Sequence, residues 1–243
     1  MAWDIRFQVE FLGLSKKKII VITGTSRGIG NELAKIYLSK NFFVYGCSRS
    51  QNTIFNKNYS HKILDISLHT NLIKWISGII KNKKIDKLIL NAATINRSLF
   101  IFENLKNIKK SINTNYLSNI LLVRLVLQQM IKNKSGTIVF FSSISTITKD
   151  KGTAIYSSAK SGVENLMEIL SKELKSFNIN FLIFKISYIL TDMSKTLNNK
   201  EFLKITKKVH IKKITNVKKI SQIIDKNKKY KNKNFFLIKD EFK

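Results

Sequence analysis

Short apolar runs alternate along the chain with longer stretches in which apolar residues recur every three or four positions. Ile19 to Ile22 reads as a buried parallel strand, and Ile29 to Ser39 as the helix it feeds. Phe42 to Cys47 predicts a second strand, and Lys62 to Leu64 a short third one that ends at Asp65. Leu72, Ile73, Ile76, Ile79 and Ile80 share one helical face, Lys87 to Leu90 gives a fourth strand, and a long helix covers about 105–132. Thr137 to Phe141 is a fifth strand running into Ser142 and Ser143. Ala159, Val163, Leu166, Leu170 and Leu174 then recur at steps of four, three, four and four, which makes Tyr156 to Phe177 an amphipathic helix before a sixth strand at Ile179 to Ile186. Six such alternations predict an α/β fold: a single-domain, doubly wound parallel sheet with helices on both faces.

The ends of the chain are less patterned. Residues 1–14 carry no motif and read as an N-terminal arm, leaving 15–243 as the domain. Lys204 to Lys233 holds twelve lysines with Asp225 as its only acid, and predicts one or two surface helices with a solvated face before a last strand at Phe235 to Ile238.

The first strand meets its helix at Thr23-Gly24-Thr25-Ser26-Arg27-Gly28-Ile29-Gly30. Glycines at 24, 28 and 30 allow a tight turn, a close approach of backbone to a ligand, and close packing of helix on strand. The unpaired N–H groups and dipole of a helix start favour an anion there. A dinucleotide is the expected occupant.

Charge changes this picture little. The chain has 44 basic and 15 acidic residues, a net charge of +29, which in principle attracts nucleic acid, membranes or acidic substrates. Only five of the basic residues are arginine, there are 37 isoleucines and 24 asparagines, and proline is absent. Lysine, isoleucine and asparagine have A/T-rich codons, so the charge is read as coding bias over a solvated surface, with nucleic acid not expected as a partner. No apolar run approaches the ~18 residues of a membrane span, and Asp4, Arg6 and Glu10 interrupt any leader-like stretch. A cytoplasmic protein is expected. The single cysteine, Cys47, excludes an internal disulfide framework, and His61, His69 and His210 show no ligand spacing, so no metal is expected.

Tyr156 and Lys160 stand four apart at a helix start and so share a face. A nearby cation favours the anion of a phenol whose ordinary pKa is ~10, which allows proton exchange with a carbonyl or alcohol. Ser143 ends a strand at the same sheet edge onto which the glycine turn opens, and its hydroxyl can hold an oxygen on which charge develops.

With these residues in order, the chain resembles the short-chain dehydrogenase/reductases, in the subgroup of 3-oxoacyl-acyl carrier protein reductases, from about Lys18 to Leu197. Thr23 to Gly30 matches the TGxxxGxG cofactor turn, in which Gly24, Ser26, Arg27, Gly28, Ile29 and Gly30 would meet the cofactor. Asp65 and Ile66 match the pair at the adenine, Asn91 and Ala92 the NAG segment, and Ile189 and Thr191 the carboxamide-side segment. Asn115 matches the asparagine that supports a relay water, Ser143 the catalytic serine, and Tyr156 and Lys160 the YxxxK pair. The resemblance implies a Rossmann-type fold and hydride transfer between a nicotinamide and a carbonyl or alcohol. Tyr156 would be the general acid, Ser143 would orient the oxygen, and Lys160 would lower the phenol's pKa and hold the nicotinamide ribose. A homo-oligomer, dimer or tetramer, is implied as well.

Charge also points to the cofactor. Cys47-Ser48-Arg49 ends the second strand with no acid to accept from a ribose 2′-hydroxyl, and Arg27 sits in the turn. Two guanidiniums suit a 2′-phosphate, so NADP(H) is expected. A 3-oxoacyl thioester, carrier-bound, is the first expected substrate; Lys134 precedes the fifth strand as a carrier-docking residue would, but Phe177 stands before the sixth. Two alternatives stay open: a reductase of a sugar or other small carbonyl, and a non-catalytic dinucleotide-binding protein.

Overall fold

The computed structural model describes residues 17–186, 216–226 and 233–237, the last group as backbone only. Seven strands form one sheet: β1 (Ile19–Thr23), β2 (Phe43–Ser48), β3 (Tyr59–Ile63), β4 (Lys87–Leu90), β5 (Gly136–Ser143), β6 (Ile179–Ile186) and β7 (Lys233–Leu237). The order is β3-β2-β1-β4-β5-β6-β7 and every pairing is parallel. Because strand side chains alternate faces, Ile19 and Val21 join one apolar cluster while Ile20 and Ile22 join another on the opposite face.

Helices cover both clusters. Leu72, Ile76 and Ile79 of α2 (His69–Asn82) pack on the first. So do Leu122, Val126 and Met130 of α4 (Ser118–Lys132), and Val163 and Met167 of α6 (Ala154–Glu173). Leu33, Ala34 and Tyr37 of α1 (Gly28–Ser39) pack on the second, beside α7 (Val217–Asp225). This is the doubly wound arrangement that the alternation predicts, with crossovers between parallel strands.

Two expectations change. The helix foreseen over 105–132 is interrupted: α3 (Leu105–Ile112) passes through a π-turn at Asn113–Leu117 before α4 continues. The lysine-dense segment, where described, is not simply a solvated face. Ile220, Ile223 and Ile224 of α7 are buried, and Asp225 accepts from Tyr37 Oη at 3.2 Å and Lys40 Nζ at 2.6 Å. The apolar (i, i+3, i+4) stripe closes the second layer, and the lysines around it occupy the outer side. Residues 1–14 lie outside the described residues.

Among the described residues, no helix is long and apolar enough to cross a membrane, and no group of three or more potential ligand side chains could hold a metal ion.

Candidate active site

β1 and β4 are neighbours whose connections leave in opposite directions, so a crevice opens beyond their C-terminal ends. A cleft of about 710 Å³ lies there, lined by Gly24, Ser26, Arg27, Arg49, Asp65, Ile66, Asn91, Ala92, Thr94 and Thr114. Its floor is fixed by backbone bonds: Gly24 N and Thr25 N donate to Cys47 O at 2.7 and 3.2 Å. Asn91 Nδ2 donates to Thr23 O and Gly24 O at 2.9 and 3.0 Å, and Asn91 N and Ala92 N both donate to Thr23 Oγ1. Asn91 therefore braces the turn with its side chain rather than reaching across the cleft.

The turn fits a dinucleotide pyrophosphate on two observations. Gly28 has φ +60°, and a Cβ there would project into open space, while a methyl at Gly30 would run into the Gly24 carbonyl. α1 has no acid in its first turn and no side-chain cap from Arg27, which leaves its first N–H groups available to an anion. Ile29 packs its side chain against the second apolar cluster, so its backbone is what it can offer.

Beside the turn and the end of β2, Arg27 and Arg49 are exposed and line the cleft. Burial pushes the Asp65 carboxyl up, but hydrogen bonds from Ser67 Oγ at 2.7 Å and Ser67 N at 2.9 Å, with Arg49 and Lys110 nearby, hold it below its ordinary value. Cys47 is buried, and its thiol is pushed up to about 12 by that burial. Such a thiol is inert.

The second half of the site is built from β5, the short helix α5 (Ser145–Thr148) and α6. Ser143 Oγ accepts from Ser145 Oγ at 2.9 Å and Ser145 N at 3.2 Å. Its own proton remains free to face the Tyr156 phenol, whose titration the Ser143 hydroxyl influences. Ser157 Oγ donates to Ser145 O at 2.8 Å and ties the first turn of α6 to α5. Lys160 is buried; its Nζ donates to Phe141 O at 2.7 Å and stands 4.6 Å from the Phe140 ring centroid and 5.9 Å from that of Tyr156.

The electrostatics depart from the expectation that Lys160 lowers the phenol's pKa. Burial raises the Tyr156 phenol above its ordinary value, opposed by the Ser143 hydroxyl and the Arg97 charge. Burial likewise lowers Lys160 to about 7, opposed by Glu164. Desolvation disfavours both charged forms, and the ammonium is engaged by the Phe141 carbonyl.

Asn115 lies in the π-turn, and its side chain is occupied within the protein. Oδ1 accepts from Thr94 N at 3.0 Å, while Nδ2 donates to Thr94 O at 2.7 Å and Ser111 Oγ at 3.0 Å. It clamps the segment after β4 at the end of the cleft. Its backbone carbonyl, displaced from regular helix bonding, accepts from Asn119 Nδ2 at 2.8 Å. Ile189 and Thr191 lie outside the described residues.

Four further residues belong to this end of the site. Thr94 and Arg97 follow β4, Glu164 follows Lys160 by one helical turn, and Lys185 is the one charged residue of β6. Tyr156, Lys160 and Glu164 recur at steps of four in the sequence, a signal for the third member of the row.

Comparison with known proteins places this geometry among oxidoreductases. The family model described as short chain dehydrogenase matches residues 18–201. A 3-oxoacyl-[acyl-carrier-protein] reductase of Buchnera aphidicola subsp. Baizongia pistaciae is 32% identical over 215 residues, covering 85% of this chain and 88% of that protein. The protein of the same description from Chlamydia trachomatis serovar D is 29% identical, covering 77% of this chain and 80% of its own length. Among solved structures, ElxO with NADP bound superposes with a TM-score of 0.75 at 23% identity, covering 92% of this chain and 98% of that one. 4-Hydroxyisoleucine dehydrogenase complexed with NADH also gives 0.75, at 20% identity and 92% and 97% coverage. At those identities the likeness is one of fold.

Proposed function

The chain belongs to the short chain dehydrogenase family, and on that premise we propose that it is an NADPH-dependent carbonyl reductase acting on a 3-oxoacyl thioester. The observation that carries this reading is the meeting of Ser143, Tyr156 and Lys160 at one sheet edge, with Lys160 Nζ 5.9 Å from the Tyr156 ring centroid and the phenol raised above its ordinary value. Such a phenol is protonated at neutral pH, which suits donating a proton to a carbonyl oxygen better than taking one from an alcohol.

A bound nicotinamide would supply the hydride. The first N–H groups of α1 would bind the pyrophosphate, and Arg27 and Arg49 a ribose 2′-phosphate. The Ser143 hydroxyl would donate to the substrate oxygen, Tyr156 would transfer its proton to it, and the Lys160 ammonium would stabilise the negative charge left behind. Asn115 would act through Thr94, holding that end of the cleft in place.

The absence of an acid at Cys47-Ser48-Arg49 favours NADPH over NADH. The curated relatives favour an acyl thioester. On this reading residues 15–243 act as one dinucleotide-binding domain with 1–14 as an arm. The exposed run Leu99, Phe100, Ile101 and Phe102 supports self-association as a dimer or tetramer.

The test is NADPH oxidation with acetoacetyl-CoA, keto sugars and simple ketones as parallel substrates, repeated with NADH. The expected result is turnover of acetoacetyl-CoA with a lower KM for NADPH. Turnover of a keto sugar alone, or a preference for NADH, overturns the respective part of the assignment.

A further inference from the structure

Behind Lys160 lies a buried charge cluster that the proposed chemistry does not use. Glu164 is 7% exposed, and its two oxygens are taken by three elements. Ser142 Oγ at the end of β5 and Thr146 Oγ1 of α5 (3.0 Å) donate to Oε1, and Lys185 Nζ of β6 donates to Oε2 at 2.6 Å. Lys185 Nζ also donates to Thr146 Oγ1 at 3.2 Å. Ser142 and Thr146 flank Ser143 and Ser145, so the cluster grips the segment that aims the Ser143 hydroxyl. On α6 the carboxylate stands one turn beyond Lys160.

We propose that the Glu164–Lys185 ion pair is a positioning device for the site: Glu164 keeps Lys160 a cation and, through Ser142 and Thr146, fixes the strand end that presents Ser143, while Lys185 moderates the carboxylate's charge.

A buried ion pair gains little stability over apolar residues of the same size, so packing alone gives no reason to place one here. A reason appears once Lys160 must stay charged in a dry environment. Its facing titratable and charged groups, among the described residues, are Tyr156 and Glu164 from α6, Lys185 of β6 behind Glu164, and Arg97 beyond Tyr156. From β5 it meets only the Phe141 carbonyl and the Phe140 ring. Glu164 is the one carboxylate of that set, and its influence opposes the effect of burial on the ammonium.

The inference rests on Lys160 belonging to the site, but its test does not depend on turnover. The full chain is labelled with carbon-13 at the lysine Cε, and the resonance that titrates near pH 7 is assigned to Lys160 by its loss in Lys160→Arg. Glu164→Gln is expected to move that midpoint down by about one pH unit, and Lys185→Met to move it up. Opposite shifts are the signature of charge; a purely structural brace would leave both midpoints in place. Unmoved midpoints, or shifts of the same sign, overturn the proposal. If Glu164→Gln does not fold, Lys185→Met is read alone: a raised midpoint supports the proposal, and an unmoved or lowered one overturns it. With NADPH and acetoacetyl-CoA, the alkaline fall in kcat should shift in the same directions. A wild-type chain that fails to turn over would count against the proposed function and leave the resonance test standing.

Discussion

At the β1 end of the crevice the polar contacts end largely on backbone groups; at the β5 end they run largely between side chains. Gly24 and Thr25 N–H groups bond the Cys47 carbonyl, Asn91 grips two more carbonyls, and α1 offers uncapped N–H groups. Beyond β5 the contacts run through Ser143, Tyr156, Lys160, Glu164 and Lys185, several of them charged and out of water. A backbone cradle needs particular φ angles and the lack of a Cβ, and holds an anion at any ordinary pH. A buried side-chain site depends on protonation state, and is sensitive to each neighbour's charge. The first end is suited to holding a ligand and the second to moving a proton.

The sharpest way to separate them is to remove charge from the second end. Lys160→Met should lower kcat by about 10²- to 10⁴-fold while leaving the turn intact. It should also change the pH dependence of stability. Burial lowers Lys160 from 10.5 to about 7, so between those values the folded state binds fewer protons than the unfolded one. Stability contributed at this site therefore rises with pH across that window and is lost as pH falls through it. Lys160→Met removes the dependence, so urea denaturation should show a larger gain in stability over wild type at about pH 6 than at about pH 9.

Breaking the first end should leave a different signature. Gly30→Ala drives a methyl into the Gly24 carbonyl, and is expected to cost about 1–3 kcal/mol of stability together with NADPH binding, read by denaturation and fluorescence titration. Arg49→Ser should weaken NADPH by about tenfold or more and leave NADH nearly unaffected, in line with the loss of a charge-assisted hydrogen bond. The smallest effect is expected at Cys47, whose buried, raised thiol should resist alkylation in the folded protein, as mass spectrometry would show.

The same contrast explains what the sequence revealed. Period and punctuation fixed β1, β2, β4, β5, β6 and the glycine turn, because a parallel strand buried on both faces must be apolar and a tight turn needs glycine; the edge strand β3 is polar and half exposed, and the expectation of Lys62 to Leu64 overlapped only its end. The π-turn at Asn113–Leu117 left no mark, since one extra residue in a helical turn hardly disturbs an apolar pattern. α7 was obscured by lysines, although Ile220, Ile223 and Ile224 carry the period. Tyr156 and Lys160 were legible as an (i, i+4) pair, and Glu164 extends that row. Its partner Lys185 could not be read, because its neighbour is supplied by another element. The direction of the phenol's shift was also hidden, because burial, which decides it, is a property of the packed fold.

If the cradle binds and the phenol donates, Tyr156→Phe should separate the two. NADPH affinity by fluorescence titration and reduction of acetoacetyl-CoA should be measured on the same preparation. Wild-type affinity with kcat lowered by about 10²-fold or more is the predicted result; near-normal turnover by the variant would contradict it.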